Sequence, residues 1–343
     1  MARKTKHSVN LALQGGGSHG AFTWGVLDRL LLEPDLAFEG ISGASSGAMN
    51  AVVMADGLLR GGREGARESL QHFWQQVTNM FSELFQPTAQ LANWLMFESD
   101  SAFSLQSYLQ LTQAFSPYQL NPMNHNPLRD LLESSIDFGR LRRNRTYQLF
   151  IAATQVRTGK LRLFKAKEMS VDALLASACL PSIHHAVTID GESYWDGGYS
   201  GNPPVYPLIF NCNSRDVMVV IVQPLERKEL PMTADAIQMR AAELSFNTAF
   251  LREMRAIAFS KEQIEQDWMP LGLLERRLSQ LNMHIVQNQA MMEELDPASR
   301  YKNAPDFIQH LYSEGYAACD NWLQDNRDTI GRQSSINLSE MFY

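Results

Sequence analysis

The chain has 343 residues, 45% hydrophobic and 20% charged, the balance of an ordinary globular protein with one large domain or a domain plus an appendage. A formal net charge of −7 argues against a duplex nucleic-acid binder, which needs a basic face to displace counterions, so no nucleic-acid partner is expected. No apolar run approaches the roughly 18 residues of a membrane span, and the stretch MARKTKHSVNLALQGGG is too briefly apolar for a secretory signal. Any membrane contact is therefore expected to be peripheral. Cys179, Cys212 and Cys319 are too few and scattered for a disulfide framework or a zinc site, and fit reduced thiols in a cytoplasm.

In chain order, VNLALQ (9–14) reads as a buried strand, and HGAFTWGVLDRLLL (19–32) as a helix with Ala21, Trp24, Leu27 and Leu31 on one side. A second strand around Phe38 to Ile41 leads through a sharp Gly/Ser turn into a helix ending at about Leu59. Two strand-turn-helix units in succession indicate an α/β fold with a mainly parallel central sheet. Between about 62 and 136 the pattern turns helical and aromatic, with Phe73, Trp74, Phe81, Phe85, Trp94, Phe97 and Phe103. This segment reads as a helical insertion whose aromatics are mostly core. Trp94, Leu95, Met96 and Phe97 are the four best placed near a lipid, since four consecutive apolar residues cannot all face one core.

Strand signals return at 146–156, 160–166, 186–198 and 216–224, with a short helix at 171–177 among them. Beyond Pro231 the pattern predicts helices at 234–267, 271–295 and 305–326, followed by an aperiodic tail over 328–343. Arg240, Arg252, Arg255 and Lys261 in this region read as a solvated face. Met283, Met291 and Met292 read as a stripe for a protein partner or a second copy of the chain.

Two loops carry chemistry. Gly43-Ala44-Ser45-Ser46-Gly47 matches G-x-S-x-G between a predicted strand and a predicted helix, the setting that exposes a nucleophilic serine at a tight turn. Upstream, Gly15, Gly17 and Gly20 fit the dinucleotide fingerprint G-x-G-x-x-G. That reading needs an acidic residue at the end of the second strand to bind ribose. Glu33, Asp35 and Glu39 precede or begin that strand, and the serine turn occupies its end. The alternative is that main-chain amides of Gly16, Gly17 and Ser18 hold an oxygen that becomes anionic as Ser45 attacks an ester, each donor contributing on the order of 100- to 1,000-fold in rate.

Serine needs a base. Among the histidines, His125, His184 and His185 lie in no catalytic pattern, and His19, beside the glycine loop, is the best placed. Asp196 in YWDGGY is the stronger candidate, because it ends a predicted strand and precedes Gly197 and Gly198, where the backbone bends sharply.

GGGSHG, GASSG and DGG, in this order and each at a strand end, together resemble the patatin-like lipid acyl hydrolases, over roughly residues 8–225. The block ASACLP (176–181) resembles the stretch that precedes the family's aspartate. The resemblance implies a patatin-like three-layer α/β fold, with Ser45 as nucleophile, Asp196 as base and Gly15 to Gly20 as the oxyanion loop. It implies no cofactor or metal. The family loop commonly carries arginine where this chain has His19, so a fixed guanidinium is missing from that position. On this reading, 8–225 is the catalytic domain, the insertion spans about 62–136, and 231–327 is a helical extension outside the resemblance. The expected substrate is a lipid acyl ester, a phospholipid or lysophospholipid. Rival readings are a short-chain or hydroxyalkanoate ester hydrolase, a scaffold acting through its C-terminal helices, and, more remotely, a nucleotide-binding oxidoreductase.

Overall fold

The computed structural model describes residues 7–95, 112, 114–266 and 272–343. β1 (His7–Leu13) lies inside a sheet because both its faces are apolar: Val9, Leu11 and Leu13 enter one core cluster and Ala12 the other. It pairs in parallel with β2 (Leu36–Gly43) and with β7 (Asp216–Val220). β3 (Gln148–Gln155) continues the parallel sheet beyond β2, and β8 (Asn282–Val286) continues it beyond β7. β4 (Leu161–Lys165) and β6 (Glu192–Asp196) run antiparallel to β3, and β5 (Val187–Ile189) pairs with β6. The hydrogen-bonded order is β5-β6-β3-β2-β1-β7-β8, with β4 also on β3.

Helices cover both faces. On one lie α1 (Gly20–Leu31), α2 (Ser46–Leu95) and a late helix, called here α4 (Pro305–Asn326). On the other lie α3 (Ala234–Gln266) and the terminal turn Leu338–Phe342, with Phe250 and Phe342 in edge-to-face contact, their ring centroids 5.8 Å apart. This is the expected three-layer α/β arrangement with a mainly parallel sheet.

Three readings change. The span 271–295, expected to be helical, contains β8, so the segment after Pro231 adds a strand to the central sheet. Met283 and Met292, expected in an interface stripe, are consequently buried in the core. Second, α1 has more than one buried side: eleven of its twelve residues are buried, because α4 crosses a second face of it. The two helices approach closely at glycines, where a Cβ on Gly25 would lie 2.0 Å from the Tyr312 carbonyl oxygen and one on Gly315 2.0 Å from that of Phe22. Third, 186–198 is a hairpin, β5–β6, turning at Asp190 (φ 51°) and Gly191 (φ 81°), the backbone that a two-residue D-G loop supplies.

α2 breaks at Gly61 and Gly62, close to where an insertion was expected to begin, and Phe73 and Trp74 beyond the break are buried as core. Phe97, Phe103 and the Met96–Phe97 half of the tetrapeptide expected near a lipid lie outside the described residues, as do the side chains of Phe81, Phe85, Trp94 and Leu95. The tail docks: Ser335 N–H donates to the Met283 carbonyl and Ser334 Oγ accepts from Met283 N–H. No helix among the described residues is long and apolar enough to cross a membrane.

Candidate active site

Strand register explains how two residues far apart in sequence meet. Ile151 of β3 pairs with Gly43 on one edge and Phe164 of β4 on the other. Ala153 pairs with Asp196 on one edge and Arg162 of β4 on the other. Because β4 holds one edge throughout, β2 and β6 share the opposite edge and run head-on towards each other, with only the Ala152 position between their ends. The chain leaving β2 carries Ser45; the end of β6 is Asp196.

Ser45 sits at φ 52°, a left-handed conformation that a serine adopts only when its surroundings impose it. Its amide donates to Ser177, to Oγ at 3.0 Å and to the carbonyl at 3.2 Å. Gly47 is required two residues on: a Cβ there would lie 2.2 Å from the Leu13 carbonyl oxygen, and Gly43 packs directly on the Gly47 backbone.

Asp196 is fully buried. Its Oδ1 accepts the Gly198 N–H at 2.7 Å, and Oδ2 has no hydrogen-bond partner among the described residues. Burial pushes the carboxyl up to about 7, against the opposing pull of the Gly198 amide, the Ser45 hydroxyl and Arg300. The Ser45 hydroxyl is thus near enough to favour the carboxylate, although Oδ2 accepts no full hydrogen bond from it. Gly197 lies against Ala152 and Gly198 against Phe246, so DGG lets the chain turn between β3 and α3.

The glycine loop is held by side chains. Gly15 N–H donates to Asn202 Oδ1 at 2.7 Å, and its carbonyl accepts from Gln223 Nε2 at 2.9 Å. Gly16 N–H donates to Ser46 Oγ at 3.1 Å, and the Gly20 amide is engaged with the Gly17 and Ser18 carbonyls. Of the five residues expected to form an oxyanion hole, Gly15 and Gly20 therefore frame the loop. The amides of Gly17 and Ser18 have no acceptor among the described residues. Gly17 has φ 60°, and a Cβ there would lie 2.3 Å from the Arg300 carbonyl oxygen.

His19 is a brace. Its Nε2 meets Ser299 Oγ at 2.8 Å, and burial drops its pKa to about 4, which keeps it neutral at pH 7. His184 is also held near 4 by burial, His185 stacks on Tyr118, and His125 is exposed. Sequence reasoning missed Gln14, Asn202 and Gln223, although a glutamine ending the apolar run VNLALQ was a visible signal. It also missed Ser299, Arg300 and Asn303, which no local motif marks. Among the described residues, no three His, Cys, Asp or Glu side chains gather as metal ligands.

No match was found among the curated proteins compared. The crystal structure of VipD from Legionella pneumophila aligns with a TM-score of 0.44 at 13% identity, over 93% of this chain and 67% of that one. A family model described as patatin-like phospholipase matches residues 11–209, which takes in the glycine loop, the serine turn and Asp196. With more than half its length matched, the chain belongs to the patatin-like phospholipase family, a family of lipid acyl hydrolases.

Proposed function

We propose that this protein cleaves lipid acyl esters, of phospholipids or lysophospholipids, by a two-step mechanism on Ser45 and Asp196. Ser45 Oγ attacks the acyl carbonyl carbon while its proton passes to Asp196. The oxygen that becomes anionic is held by the amides of Gly17 and Ser18, with Gly16 joining if its bond to Ser46 opens. Collapse of the tetrahedral intermediate expels the alcohol, which takes the proton back from Asp196. Water, deprotonated by the same carboxylate, then releases the acyl group as a carboxylic acid and restores Ser45.

The observation that carries this reading is the head-on meeting of β2 and β6, which sets a strained serine beside a buried carboxyl with one unpartnered oxygen. Aspartate is ordinarily too weak a base, and burial offsets this by raising its pKa close to working pH. The test uses a fluorophosphonate probe and a short-chain p-nitrophenyl ester. Ser45→Ala should lose labelling, and Asp196→Asn should lower turnover by about 100- to 10,000-fold with the fold intact. Near-normal turnover in either variant rejects the mechanism.

A further inference from the structure

The turn Pro297–Tyr301 comes from the region after Pro231, yet it lies on the glycine loop. Ser299 bonds His19, Asn303 Oδ1 accepts from Ser18 Oγ at 2.5 Å, and the Arg300 backbone abuts Gly17. Loop and turn therefore hold each other, and the Arg300 side chain leaves from the point of contact.

A groove beside the loop is lined by Gly16, His19, Arg227, Glu243 and Arg300, among others. Arg227 and Arg240 both ion-pair with Glu243, at 2.9 and 2.7 Å. Arg300 has no acidic partner among the described residues: its guanidinium lies over the Tyr301 ring, 5.3 Å from the centroid, and its Nε is buried without a hydrogen-bond acceptor. Glu243 is thus already engaged by two guanidiniums, and the positive charge of Arg300 stays unneutralised, in a chain whose overall charge is −7. His19 adds no charge near neutral pH. The field of Arg300 reaches Asp196, His19 and Tyr199, so its cation acts on the same space as the proposed reaction centre.

An unpaired guanidinium beside amides that receive a developing oxyanion is built for a ligand with its own anion. We infer that Arg300 is a specificity-determining residue that receives a two-oxygen anionic group of the acyl ester, a phosphodiester or a carboxylate, next to the glycine loop. The inference rests on the Ser45–Asp196 reading and adds the substrate class. It also gives the chain a fixed cation at the loop, supplied from the C-terminal region instead of from position 19.

The experiment compares three soluble octanoyl esters: 1-octanoylglycerol, its hemisuccinate and 1-octanoyl-lysophosphatidylglycerol. Fluorophosphonate labelling of Ser45 in the wild type serves as the separate check on the dyad. Wild-type enzyme should prefer at least one anionic ester over the neutral one. Arg300→Gln should lower that preference by about 10- to 100-fold, mostly through KM. Arg300→Lys, which keeps charge but loses the fork, should fall between and covers the case in which Arg300→Gln misfolds. Whether the preference lost is for the phosphodiester or the hemisuccinate identifies the anion. Equal losses on all three esters would make Arg300 structural and overturn the inference, as would a wild type without preference. Labelling of Ser45 with no charge preference rejects only this inference; absence of both labelling and turnover rejects the dyad and this inference with it.

Discussion

At residue scale, Asp196 combines two properties that usually oppose each other. Full burial costs its charged form, and that same cost raises the carboxyl to about 7, where it can accept a proton and later return it. On the proposed mechanism, kcat/KM for a neutral ester should rise with pH to a plateau, with its acid limb near 7. A limb near 4 would show a carboxyl titrating as if in water. Stability should run the other way. The folded protein holds this proton up to about pH 7 and the unfolded chain only to about 3.8, so stability is lost as pH rises through that window. Asp196→Asn keeps an acceptor for Gly198 and removes the buried charge. It should therefore gain stability over wild type between pH 5 and 8, by up to about 4 kcal/mol, in paired thermal melts. A constant difference across that range would contradict the burial argument. Ser45 stores strain as well: Ser45→Gly should exceed Ser45→Ala in stability by about 1 kcal/mol, both being inactive, as urea unfolding would show.

At the scale of elements, the crossing of α1 and α4 is the contact least tolerant of added volume. A methyl at Gly25 or Gly315 has backbone in its way, so the helices must separate. Gly315→Ala should cost about 1–3 kcal/mol in urea unfolding, whereas Gly61→Ala, with no neighbour within 4 Å, should cost little. Polar contacts at the same crossing reinforce it without dominating it: Arg29 pairs with Asp320 at 2.6 Å, and the Tyr312 hydroxyl donates to buried Asp28 at 3.0 Å. Glu253 of α3 accepts the Val205 and Tyr206 amides at the start of the short helix Tyr206–Asn211. Burial raises its carboxyl to about 7, so Glu253→Gln should show the same sign of pH-dependent stability as Asp196→Asn.

For the whole molecule, the region after Pro231 cannot be separated from the rest. It supplies β8 at one side of the parallel sheet, α3 on one face, α4 over α1 on the other, and the turn that braces the glycine loop. Truncation after residue 231 should therefore give insoluble protein with no cooperative thermal transition, not a smaller active enzyme. A soluble, fluorophosphonate-reactive fragment would refute this. By itself the sequence determined what depends on neighbours along the chain. Apolar runs marked the first two strands, the glycine loop and the Gly/Ser turn marked their sharp ends, DGG marked the end of β6, and a short helix was placed at Val171–Ser177. It could not determine β8. Asn282–Val286 becomes a strand because β7 offers an unpaired edge and Met283 and Ile285 find the core there, and both conditions lie far off in sequence. The same holds for α1, where a one-sided pattern could not announce a second helix crossing at glycines. It holds again for Arg300, whose role depends on a turn closing against the loop from nearly three hundred residues downstream. Local chemistry can be written in short motifs, but the pairing of edges, the crossing of helices and the company a charge keeps are settled only when distant segments compete for the same space.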